Sequence, residues 1–153
     1  MIRKLIITVI VLLPAIHAMA QKPELVNGLY FKSGMLYTGI YKEYYPDGKL
    51  LIEQSIKNGL EDGPVDLWYQ NGCKQEHREF SEGKKTGNWI KWNEAGIAIA
   101  EASYLENVKE GTWLIRNDKG RLLYQMHYTN GNKSGIWKQW DDEGKLVMEK
   151  EYN

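Results

Sequence analysis

The apolar and aromatic positions of this chain recur at a fixed interval. Glycines stand at 39, 63, 87, 111 and 135, each 24 residues after the one before. A second column follows nine residues later at Gly48, Gly72, Gly96, Gly120 and Gly144. A third, at Gly59, Gly83 and Gly131, is interrupted by Asn107, and the three columns take up 13 of the 15 glycines. Tyr41, Val65, Trp89, Trp113 and Trp137 lie two residues past the first glycine, and Tyr44, Trp68, Trp92, Arg116 and Trp140 lie five past it. All six tryptophans fall in those two columns. Ile56, Phe80, Tyr104, Tyr128 and Tyr152 lie seventeen past it. Self-similarity at a constant period marks a repeat architecture.

Each unit reads as a β-hairpin. A helix would have to absorb two or three glycines per unit at ~1 kcal/mol each, whereas aromatic residues suit a pleated surface. Turn residues precede the second glycine, as in Pro46-Asp47-Gly48, Gln70-Asn71-Gly72 and Asp118-Lys119-Gly120; there glycine supplies a positive φ. The stretch that follows alternates: Leu122, Tyr124, Met126 and Tyr128 share one face, with Gln125 and His127 on the other. A polar, glycine-bearing loop such as Ser81–Gly87 then returns the chain to the next unit. The expectation is an all-β array of about five antiparallel hairpins, an open meander of units 39–62, 63–86, 87–110, 111–134 and 135–153. Residues 21–38 lead in, with 28–38 as a worn half-unit. The two aromatic columns of the first strand are three apart, so either a bulge intervenes or they face opposite sides.

The unit G-x-W-x-x-[WY]-x-x-x-G-x-L-x-x-E-x-x-Y-x-x-G-x-x-x-G resembles the bacterial variant of the MORN repeat. Gly135-Ile136-Trp137 through Tyr152 follows it almost position for position, and Leu36-Tyr37-Thr38-Gly39 with Tyr44-Tyr45-Pro46-Asp47-Gly48-Lys49-Leu50 is similar to its first units. The resemblance covers residues 28 to 153, with Val65, Arg116 and Asn107 as departures. It implies an exported repeat protein with an antitoxin-like role, protein–protein contacts or, in some families, lipid headgroup binding.

The N-terminus reads as a Sec-type signal peptide over residues 1–20. Arg3 and Lys4 precede an apolar run from Leu5 to Leu13, and Ala18-Met19-Ala20 offers a cleavage site before Gln21. That run is about half the ~20 residues a membrane span needs. The protein is therefore expected in a periplasm or outside the cell. Loss of Arg3 and Lys4 leaves 18 basic against 20 acidic residues, a formal charge of −2. No basic stripe emerges from the linear sequence, which argues against nucleic acid as a partner. Cys73 is the single cysteine, so no internal disulfide is possible.

Catalytic chemistry has little to stand on. His77 and His127 occupy different columns of different units, without metal-ligand spacing around them. The glycines are turn glycines, and no nucleophile-elbow pattern occurs. Glu53, Glu101 and Glu149 recur once per unit, as solvated strand charges paired with lysine would. No catalytic residue, metal or cofactor is expected. Trp89, Trp113 and Trp137 are expected to form a core ladder. Tyr44, Trp68, Trp92 and Trp140 are the candidate binding face. Its partner is expected to be a protein, with a toxin, a glycan or a lipid headgroup as alternatives. Mass spectrometry of the protein recovered after export should find Gln21 at its N-terminus; an uncleaved Met1 would contradict the signal-peptide reading.

Overall fold

The computed structural model describes residues 22–153, so the signal-peptide reading of residues 1–20 lies outside the described residues. Fourteen antiparallel strands make up the described chain, with no helix among them. They are β1 (Glu24–Val26), β2 (Leu29–Lys32), β3 (Met35–Leu36), β4 (Gly39–Tyr44), β5 (Leu50–Lys57), β6 (Leu60–Trp68) and β7 (Lys74–Ser81). Then come β8 (Lys84–Trp92), β9 (Ala98–Leu105), β10 (Val108–Lys109), β11 (Gly111–Arg116), β12 (Leu122–Thr129), β13 (Asn132–Trp140) and β14 (Leu146–Tyr152). Strands β4 to β14 form one open sheet in sequence order, β10 pairing with β9 just before β11 does. The all-β meander of hairpins is thus as the periodicity requires.

Two kinds of turn alternate along it. At one edge the second glycine closes a three-residue loop: Gly96 N–H donates to Asn93 C=O and Asn93 N–H to Ile97 C=O, each at 2.9 Å. At the other edge the chain reverses through only two residues, both with positive φ: Asn58-Gly59, Glu82-Gly83, Glu106-Asn107 and Asn130-Gly131. These are type I′ turns, whose twist matches the flanking strands. The seven-residue loop expected over Ser81–Gly87 is therefore a two-residue turn, and β8 is already running at Lys84. Adjacent turns are stitched together. Gly59, Gly83, Asn107 and Gly131 donate backbone N–H groups to the carbonyls of Tyr37, Glu61, Lys85 and Lys109 at 2.8–2.9 Å.

The first glycine of each unit has a different task. Gly87 and Gly135 lie inside strands at φ of 56° and 59°, and Gly111 opens β11 at 68°. At this kink the register with the preceding strand slips: His77 pairs with Ile90 but Glu79 with Thr86, leaving Arg78 opposite residues 87–89. The slip turns the indole N–H of Trp89 onto Glu79 C=O (3.1 Å), and Trp113 and Trp137 bond the carbonyls of Ser103 and His127 likewise (3.1 and 3.0 Å). A β-carbon on Gly87 would lie 3.2 Å from Glu79 Cβ and collide with its carboxylate.

The kinks aim one large side chain per strand at the same face. Phe80, Trp89, Tyr104, Trp113, Tyr128, Trp137 and Tyr152 form an unbroken ladder with centroids 5.0–5.3 Å apart and rings inclined by 55–65°. Val65, Ile56 and Tyr41 continue it to β4. Such tilted pairs contribute ~1 kcal/mol apiece beyond the area they bury. The expected tryptophan ladder is present, and it is the core. Among the described residues the buried side chains are only Tyr41, Gln54, Ile56, Val65 and Trp137. A single sheet layer leaves everything else partly in water.

Residues 28–38, expected as a worn half-unit, form no strand of the main sheet. Strands β1–β3 make a separate three-stranded sheet, turned by Asn27-Gly28 and Ser33-Gly34. It is tied to the first type I′ turn of the array, where Tyr30 N–H donates to Gly59 C=O and Asn58 N–H to Thr38 Oγ1, each at 2.8 Å. In urea unfolding, Gly87→Ala should cost about 1–2 kcal/mol through strain at positive φ, and Trp113→Ala about 3 kcal/mol. Stability unchanged in the Trp113 variant would remove the ladder as the core.

Candidate binding faces

Alternation along the strands assigns every column to one of two faces. The ladder face carries the residues two and four past each first glycine. The opposite face carries those three and five past it. The two aromatic columns therefore lie on opposite sides, and a bulge is present as well; both readings left open by the sequence hold.

Tyr44, Trp68, Trp92 and Trp140 lie on the opposite face, each at the end of its strand beside a glycine turn. Tyr44 is 57% exposed and the tryptophans are half-buried. None of these rings pairs with another, unlike those of the ladder, because they stand a full unit apart. Arg116 takes the fourth place and is held by Glu101 at 2.5 Å, and the Lys74 ammonium sits 5.6 Å from the Trp68 ring. The structure therefore brings the four residues into one row along one edge of one face.

The rest of that face is a polar lattice. Glu53 pairs with Lys42 (2.5 Å) and Glu149 with Lys138 (3.5 Å), the cross-strand pairing anticipated for the acidic column. His77 lies between Asp66 (2.7 Å) and Glu79 (3.4 Å), and Lys74 also reaches Asp66 at 2.9 Å. Burial pushes against ionisation of Asp66, but the Lys74 and His77 hydrogen bonds outweigh it and hold its carboxyl below the usual range. His127 contacts Thr112 (3.1 Å) and Gln125 (3.2 Å).

The ladder face holds what the linear sequence hid. Lys85, Lys109 and Lys133 stand two residues before successive first glycines, and their ammonium groups lie 4.5–5.2 Å from the centroids of paired ladder rings. Over β8 to β14 this face also carries Lys91 and Lys150 and no carboxylate, while Glu101, Glu149 and Glu151 point the other way. The near-zero charge that argued against a basic stripe is an average over two dissimilar faces. Three lysines in register with three glycines were the available signal; placed in a loop, they had no face.

Glu61 occupies the corresponding position in the second unit. Burial raises its carboxyl above the ordinary value, opposed by the charge of Arg78.

A profile of the MORN repeat variant matches residues 37–58 and 133–153. Two units of the array are MORN-like. These matched segments fall on the first and last units of the array. No curated protein matches the chain.

A carboxyl whose pKa is higher folded than unfolded binds protons preferentially in the folded state, so its contribution to stability falls as pH rises through that window. Wild type should accordingly lose stability relative to Glu61→Gln on going from about pH 4 upward. Denaturant midpoints of the two proteins across pH 3–7 measure this; a constant difference would show that Glu61 is not desolvated.

Proposed function

We propose that this chain is an exported, non-catalytic repeat scaffold that holds a protein partner at the cell envelope or exterior, on the face bearing Tyr44, Trp68, Trp92 and Trp140. The observation that carries the reading is a one-layer sheet whose faces are covered by no other part of the described chain. Ten strands of about eight residues present roughly 1,000 Å² per face, above the ~800 Å² that each partner contributes to a standard protein interface. The row of aromatics supplies side chains of the type that dominate such interfaces, set among pairs that fix register without adding much affinity. Ile40, Ile136 and Val147, 41–52% exposed, extend the apolar surface of the same face.

Truncating the row separates binding from folding, because its rings lie outside the ladder. Tagged 21–153 should retain a specific protein from native envelope or culture fractions. The Trp92→Ala/Trp140→Ala variant should lose it while keeping the near-ultraviolet circular dichroism of the ladder. Equal retention by both proteins would exclude this face, and absence of any specific protein from the wild-type lane would exclude the reading itself.

A further inference from the structure

Three lysines of the ladder face, Lys85, Lys109 and Lys133, have no counter-ion among the described residues. On the opposite face Lys42, Lys74 and Lys138 each lie within 4 Å of a carboxylate, and on the ladder face Lys91 lies 3.8 Å from Glu76. Lys85, Lys109 and Lys133 pair with none, although each is fixed above two rings. Cation–π contact holds each stem in one arrangement, so an anion arriving there meets ammonium groups whose rotamer freedom is already restricted.

The three groups are also evenly spaced. Each is one unit from the next, and two strand spacings correspond to ~9.6 Å. The ligand that matches such a row carries one negative charge per repeat of similar length. An extended peptide does not, since its side chains return to one side every ~6.6 Å. Duplex nucleic acid is far too dense, with one charge per ~1.7 Å of axis. An extended acidic polysaccharide with one carboxylate per disaccharide does match. The face also offers a seat for a sugar ring. Ala100 and Ala102 stand where other units carry Tyr124 and Met126 or Met148 and Lys150, leaving a hollow of about 190 Å³ walled by Trp89 and edged by Arg78, Lys91 and the Glu76 carboxylate that both cations neutralise.

We propose that the ladder face binds a linear acidic polysaccharide of this kind, its carboxylates on Lys85, Lys109 and Lys133 and one ring in the hollow beside Trp89. This surface is separate from the proposed protein-binding row, and either can fail without the other.

The probe is a hyaluronan decasaccharide, which has one carboxylate per disaccharide, titrated into mature 21–153 at low salt and followed by calorimetry and tryptophan fluorescence. Binding should weaken as salt rises. Lys85→Met/Lys109→Met/Lys133→Met, which keeps the stems over the rings, should weaken it by roughly ten-fold or more, the sum of three modest ion pairs. The corresponding triple arginine variant should retain it, and Lys42→Gln/Lys138→Gln on the other face should leave it unchanged. No binding by wild type, or binding undiminished in the methionine variant, would overturn the proposal. So would equal or tighter binding, at matched charge, of a poly-glutamate peptide or of phosphatidylglycerol vesicles, which would assign the row to an acidic protein or a membrane.

Discussion

The structure depends on a bond between an indole and a slipped backbone. Where a first glycine takes positive φ, the strand breaks register with its neighbour, and the tryptophan two residues on donates to a carbonyl of that neighbour. The same kink puts the indole between the aromatic side chains of the strands on either side. Hydrogen bonding, backbone strain and ring packing are thus satisfied at one point in each unit. Without the glycine the backbone conformation is strained; without the tryptophan two neighbours lose a ring contact. That coupling explains why a single layer holds together with so few fully buried side chains.

Much of this was legible in the sequence because the period is strict. The aromatic columns two and seventeen past each first glycine face one another, as Gly87 pairs with Tyr104 and Trp89 with Ala102. What misled was the meaning of two glycine columns. Gly83 looks like one member of a long polar loop, and Gly87 like its other end. A turn of Glu82 and Gly83 suffices, since Glu82 itself accepts a φ of 50°. Gly87 is then a kink within a strand. Local composition cannot distinguish a turn glycine from a bulge glycine, because both are selected by the same freedom at positive φ.

That one misplacement concealed the second surface. Assigned to loops, Lys85, Lys109 and Lys133 have no direction; assigned to strands, they share the parity of Phe80, Tyr104 and Tyr128 and stand over the ladder. Net charge was uninformative for a similar reason, since it sums both faces and hides the excess of lysine on one of them over β8 to β14. The row of Tyr44, Trp68, Trp92 and Trp140, by contrast, was identifiable as a group from its column. Only its face depended on alternation through the strand.

The two ends of the array are unlike. At the first unit a small sheet is tied onto the turn at Asn58-Gly59, and Lys22 reaches Glu43 across it. At the other end Tyr152 has a ladder neighbour on one side only, and most of β14 is exposed. Loss of order along such a ladder passes from strand to strand like an opening zip, checked at each tryptophan. An in-frame duplication of one unit would add one hairpin with its own glycine kink and leave the remaining contacts intact, so the array can change length without being redesigned.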